Sequence, residues 1–179
     1  MLTGKRIYLR SLERADLKER VCWINDTENI QTLLFDWPTS LSKTEAWYNS
    51  ALMDRSKFHF SIVECDTDEL VGMTGLLDVD RIHRRGQLYI TIGNKKFRGL
   101  HLPDEVIFLV LEYAFEELGL QRIYLYTLPN NEHARKVYER NGFQLDGILR
   151  KHYFVRGKQQ DLYVQSILDS EWHENQPKG

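Results

Sequence analysis

Cysteine is scarce in this chain: Cys22 and Cys65 alone among 179 residues. Two such residues build no disulfide framework, and their spacing matches no metal-ligand pattern. An excess of basic charge is also missing. The net charge of −2 leaves no electrostatic footprint for nucleic acid. No apolar run reaches the ~18 residues that would span a membrane. Met1-Leu2-Thr3-Gly4-Lys5 lacks the apolar stretch of a signal peptide, so the expected location is cytoplasmic. Internal repeats and low-complexity tracts are absent as well. What is present is an ordinary soluble composition, 42% apolar and 28% charged. The length suits a single domain over residues 1–172, followed by a loose tail at 173–179.

Taken in order, Arg6 to Leu12 alternates as a strand. Glu13 to Ile24 is helical, with Leu17, Val21 and Ile24 as its apolar side. Phe35-Asp36-Trp37-Pro38 is a loop, because Pro38 biases Trp37 away from helix. Ser42-Lys43-Thr44-Glu45 has the form of a capping box and opens a helix carrying Ala46, Trp47, Ala51 and Leu52. Phe58 to Cys65, Leu70 to Val79 and Gln87 to Ile92 read as an antiparallel meander, broken at Gly93-Asn94. Leu102 to Leu118 is apolar on almost every side, the pattern of a helix buried on most of its circumference. Phe143 to Phe154 and Lys158 to Leu168 form a hairpin at Arg156-Gly157. The order β-α-α-β-β-β-α-β-α-β-β predicts an α/β (α+β) mixed sheet with helices on both faces, parallel where Gln87–Ile92 and Ile123–Leu128 flank the buried helix.

The most informative stretch runs from Gln121 to Phe143. Ile123 to Leu128 is a strand that Pro129 stops, and Asn130 and Asn131 are candidate N-caps. Ala134, Val137 and Tyr138 share one helix face, and Asn141-Gly142 ends the helix. A Schellman ending would bring Phe143 onto Tyr138 and hold the phenol ring.

Asn131, Ala134, Tyr138, Gly142 and Phe143, placed after a strand, resemble the motif of the GNAT superfamily of acetyl-CoA-dependent N-acetyltransferases. The resemblance extends back to Arg6. It implies acetyl-CoA as co-substrate, no metal, and a pyrophosphate held at the start of the Leu102 helix. The family pattern there is Arg or Gln, two residues, Gly, one residue, then Gly or Ala. This chain has Arg98-Gly99-Leu100-His101-Leu102-Pro103, with His101 in the place of Gly and Pro103 in the place of Gly or Ala. Asp104 and Glu105 add negative charge beside the expected anion. Lys95, Lys96, Arg98, Arg135 and Lys136 are the cations available to balance it.

By the same resemblance Tyr138 protonates the departing sulfur. Backbone N–H near Ile92 or Gly93 meets the thioester carbonyl, and Asn131 binds the pantetheine arm or orders a water, alongside its capping role. Gln87 stands where many relatives carry Glu. An amide takes no proton but can orient a water, which leaves His83 or a water relay as the base. Phe35-Asp36-Trp37-Pro38, Val63-Glu64-Cys65 and His83-Arg84-Arg85 look like the spermidine acetyltransferase branch. Ile148-Leu149-Arg150 and Asp161 are shared with the ribosomal-protein N-terminal branch. The expected acceptor is a small-molecule amine, a polyamine for instance. A protein N-terminus and a nucleotide-linked amino sugar are the alternatives, and a catalytically weak acyl-CoA or polyamine sensor is the non-enzymatic one. Asp36 and Glu45, with Asp26 and Glu28, are candidate carboxylates for a second ammonium, and Trp37 a candidate π face. The free edge beyond the last hairpin leaves a homodimer open.

Overall fold

A computed structural model describes residues 1–29, 37–155 and 157–175. Eight strands make one mixed sheet: β1 (Leu2–Thr3), β2 (Ile7–Ser11), β3 (Phe58–Glu64), β4 (Leu70–Asp80), β5 (Arg85–Ile92), β6 (Arg122–Thr127), β7 (Gln144–Val155) and β8 (Lys158–Leu168). Their spatial order is β1-β2-β3-β4-β5-β6-β8-β7. Among the described residues five α-helices accompany them: α1 (Leu17–Asn25), α2 (Leu41–Met53), α3 (Leu102–Glu112), α4 (Glu132–Arg140) and α5 (Asp169–Asn175). The expected fold class stands, and the sheet gains β1 at one edge. Helix α5 carries the chain through His173–Asn175, and Trp172 buries its ring against Phe115. Among the described residues no helix is long and apolar enough to cross a membrane.

Two apolar layers sandwich the sheet. On one face α3 supplies Val106, Ile107 and Val110 to a cluster that also takes Ile7, Leu88, Ile123 and, from α4, Val137 and Tyr138. On the other face Leu12, Leu17, Trp23, Tyr48 and Met73 pack together with Trp47 and Tyr89. Leu88 and Tyr89 are neighbours in β5 yet join opposite clusters, as strand alternation requires. The Leu102–Leu118 segment is not one regular helix. After Glu112 it widens into a π-turn, Tyr113–Glu117, where the Leu118 N–H reaches the Tyr113 carbonyl.

Ser40, rather than Ser42, caps α2. Its hydroxyl accepts from the Lys43 N–H at 3.2 Å, so Glu45 is not the cap's third residue. Thr44, Trp47 and Tyr48 face inward, whereas Leu52, expected on the apolar side, stands 63% exposed. Ahead of α1, the buried Asp16 carboxylate receives both Arg10 guanidinium nitrogens, at 2.7 and 2.8 Å, together with the Ser61 hydroxyl and the Glu13 N–H. This one side chain ties α1 to β2 and β3.

The feature that positions the site is a seam in the sheet. Parallel β5 and β6 pair only at Arg85↔Arg122, Gly86↔Ile123 and Gln87↔Tyr124. Beyond Gln87 they part, and among the described residues the β6-facing backbone groups of Leu88–Ile92 have no ladder partner.

Candidate active site

A cavity of about 780 Å³ fills the seam. All of Gln87–Ile92 lines it, as do Tyr126, Thr127 and Leu128 across the gap. Arg20 and Ile24 of α1, Lys43, Thr44 and Trp47 of α2, and His59 of β3 close it on one face. Asn131, Ala134 and Tyr138 close it toward α4. Because Tyr138 belongs to the α3 cluster and Tyr89 to the α1–α2 cluster, the cavity crosses the sheet from face to face.

Tyr138 is held as its surroundings in the sequence dictate. Gly142 takes φ +90°, the Phe143 N–H reaches the Tyr138 carbonyl at 3.0 Å, and the Gly142 N–H reaches Glu139 at 3.1 Å. This is a Schellman ending. The Phe143 ring meets the phenol edge-to-face, with centroids 5.6 Å apart. Burial raises the Tyr138 hydroxyl above the usual phenol range, so it keeps its proton at neutral pH. Asn131 caps α4 by accepting from the Ala134 N–H at 3.2 Å, and it also lines the cavity.

The Arg98–Pro103 loop lies at the same end. Arg98 lines the cavity, and its guanidinium donates to the Asn29 side-chain carbonyl. Asn29 is buried and also donates to the Trp23 carbonyl at 3.1 Å. It thereby joins Arg98 to the end of α1. Trp23 in turn packs flat on Gly93. A Cβ there would stand 2.0 Å from the indole, so only glycine allows the approach. Gly99 has φ +76°, and His101 sits in the left-handed region at φ +56°, ψ 22°. His101 therefore adopts the backbone that the expected glycine would, with its imidazole largely in solvent. Leu102 is buried as the first residue of α3, and Leu100 is exposed with its carbonyl taken by Arg6 at 2.7 Å. Pro103 occupies the second helical position, where a missing N–H interrupts no helical bond.

The acids beside this loop are spoken for. Burial pushes the Asp104 carboxyl up, but bonds from Arg140 at 2.6 and 2.7 Å and from Asn141 at 2.6 Å outweigh it and hold the group below its usual range. Glu105 accepts from the backbone N–H groups of Lys5 and Arg6. Among the expected cations, Lys95 is bound to Asp26 and Glu28, and Lys96 to Glu69. Arg135 lies over the Tyr163 ring at 4.5 Å.

His101→Gly is expected to tighten acetyl-CoA binding several-fold, because it removes a side chain beside the anion-binding turn. It should also raise stability by up to about 1 kcal/mol, since glycine enters the left-handed region without a Cβ clash. Calorimetry with acetyl-CoA and a thermal melt measure the two effects separately.

Not every candidate residue converges here. His83 stands in the exposed turn before β5, its N–H bonded to Asp80, and lines no part of the cavity. Glu45 pairs with Arg14 at 3.6 Å, and Trp37 is 53% exposed; neither lines the cavity. Asp36 lies outside the described residues. Of the other two carboxylates considered for the acceptor, Glu28 lines the wall. Two residues that the sequence did not single out do converge. His59 and Tyr89 join through Nδ1 and the phenol oxygen at 2.7 Å, inside the wall. Among the described residues no group of His, Cys, Asp and Glu gathers to hold a metal ion.

Known proteins share this architecture. The family model for the acetyltransferase (GNAT) domain matches residues 6–144. The spermidine N(1)-acetyltransferase of Vibrio cholerae is 32% identical over 170 residues, 94% of this chain and 96% of its own. A putative ribosomal N-acetyltransferase of Bacillus subtilis is 35% identical over 103 residues, 58% of this chain and 56% of its own. The crystal structure of spermidine N-acetyltransferase from Vibrio cholerae in complex with CoA and spermine aligns with a TM-score of 0.87 at 30% identity, covering 95% of this chain and 99% of that one.

Proposed function

The chain belongs to the GNAT acetyltransferase family and is an N-acetyltransferase that uses acetyl-CoA; on that premise we propose that it acetylates a primary amine of a polyamine, by direct attack of the amine on the thioester in a ternary complex. The observation that carries this reading is the passage through the sheet at the β5–β6 seam. It lets cofactor and acceptor enter from opposite faces and meet beside Tyr138.

Each part has a physical task. The unpaired edge of β5 beyond Gln87 offers backbone donors and acceptors to the amides of a pantetheine arm, and the N–H groups near Ile92 and Gly93 stabilise the developing oxyanion. The start of α3, with Arg98, takes the pyrophosphate. Tyr138, still protonated, donates to the thiolate as it leaves. Gln87 stands at the fork of the seam and orients a water that carries the amine's proton away. On the acceptor side Tyr89 and Tyr126 give a cation aromatic surfaces; Glu28, though in the wall, is already paired with Lys95 and Arg98. The cations in that wall, Arg20 and Lys43, are themselves engaged, Arg20 over the Trp47 ring at 4.1 Å. The test is an amine panel of spermidine, spermine, a tripeptide and a nucleotide-linked amino sugar, each with acetyl-CoA and detection of free thiol. Spermidine or spermine is expected to be turned over fastest. Preference for the peptide or the sugar would overturn the polyamine assignment.

A further inference from the structure

His59 on β3 and Tyr89 on β5 are not on adjacent strands. The register places both opposite the same β4 residue, Gly75: His59↔Gly75 on one side and Gly75↔Tyr89 on the other. Gly75 has no side chain to stand between them. A Cβ there would lie 3.0 Å from the Tyr89 ring and 1.9 Å from the Phe58 carbonyl oxygen. The imidazole and the phenol meet across this gap at 2.7 Å. Trp47 braces the imidazole edge-to-face at 5.0 Å, and the Thr74 hydroxyl holds the Tyr89 carbonyl at 2.8 Å. Both side chains line the cavity on the α1–α2 side. Among the described residues nothing partners the other imidazole nitrogen, Nε2.

We propose that Tyr89 and His59 work as one unit at the acceptor end of the cavity: the Tyr89 oxygen receives an N–H of the acceptor amine, and His59 positions that oxygen by accepting the phenol hydrogen at Nδ1. A phenol has one hydrogen to give. Spent on Nδ1, it leaves only lone pairs toward the cavity, and these favour an amine over a group that itself accepts hydrogen bonds. Burial, helped by Arg20 and Lys57, pushes the imidazole down to about 4, so His59 is neutral at physiological pH; the proposed arrangement places its one ring hydrogen on Nε2, which leaves Nδ1 as the acceptor. Tyr89 is thus an acceptor-binding residue and His59 its positioning residue. The proposal rests on the reading of this cavity as an N-acetyltransferase site and identifies which atom holds the amine.

The test is steady-state kinetics with spermidine, with acetyl-CoA affinity followed by calorimetry. Tyr89→Phe keeps the ring and removes the oxygen. The KM for the amine should rise about 10- to 100-fold, as for loss of a hydrogen bond to a charged group, with acetyl-CoA affinity unchanged. His59→Phe should match it, and the double variant should be no worse than either single one. His59→Asn, which returns an acceptor atom near Nδ1, should recover part of the loss. An unchanged KM in a folded Tyr89→Phe protein, or additive losses in the double variant, would reduce the pair to a packing contact and overturn the proposal. If the wild-type enzyme leaves spermidine untouched, the polyamine reading falls. The same cycle with the panel amine that it does acetylate then decides the role of Tyr89 and His59. A wild-type enzyme inert toward the whole panel overturns both.

Discussion

Tyr138→Phe is expected to fold normally, bind acetyl-CoA with nearly wild-type affinity and lose roughly 10²–10⁴-fold in turnover, the range for a positioned general acid. The ring survives the substitution, so its edge-to-face contact with Phe143 and the Schellman ending of α4 survive too. Only the hydroxyl goes, from a place where burial keeps it protonated. A thiol leaves more readily than an amine or alcohol, so the lower end of the range is expected. A loss confined to turnover marks an interaction made in the transition state. Kinetics at saturating acetyl-CoA, with circular dichroism to verify folding, measure it. A folded variant with the wild-type rate would leave Tyr138 a packed aromatic.

The second large effect concerns stability. Arg10→Met keeps most of the stem and strips Asp16 of its guanidinium partner. Removing one side of a fully buried pair costs about 3–5 kcal/mol; Asp16 is buried but Arg10 is partly exposed, which puts this pair at the low end. Asp16 retains the Ser61 hydroxyl and the Glu13 N–H, so a loss near 3 kcal/mol, or roughly 6–12 °C in Tm, is expected. The pair also sets an acid limit. Burial raises the Asp16 carboxyl, but its bonds to Arg10, Ser61 and Glu13 prevail and hold it below the ordinary carboxylate value. A carboxyl depressed in the folded state stabilises fully above the unfolded value of about 3.9, and that stability is lost as pH falls through the folded value. In Arg10→Met the depression shrinks, so Asp16 loses less stability as pH falls below about 3.9 and the acid limb becomes shallower. Melts across pH 3–7 on both proteins would show it. Coincident acid limbs would mean that Arg10 contributes little to Asp16.

How far the sequence was legible depended on whether a feature is local. Alternation and Gly142 marked the strand, helix and Schellman turn around Tyr138, because each is decided within a few residues of chain. Cap identity was less secure. The capping-box pattern points to Ser42, whereas Ser40 caps α2 in the fold, with Trp47 and Tyr48 packed in the α1–α2 cluster. The His59–Tyr89 bond could not be read, since it depends on two registers meeting at a glycine between them. His101 looked like an obstacle in a glycine position. The imidazole nevertheless leaves the left-handed turn of the backbone intact. Asp104 and Glu105 likewise looked like repulsive charges, until the chain brought Arg140 and the Lys5–Arg6 backbone to them.

The seam has a thermodynamic side. Three residue pairs join the meander β1–β5 to the β6-β8-β7 hairpin unit, and the rest of that junction is helix packing and empty space. A ligand lying along the unpaired edge of β5 works as a staple between the two halves, and its binding energy adds directly to the cost of pulling them apart. Amide hydrogen exchange should register this unevenly. In the free protein Leu88–Ile92 and Leu125–Thr127 open ahead of the global transition; with acetyl-CoA bound, their slowing should exceed that of the β7–β8 hairpin, which the ligand does not bridge.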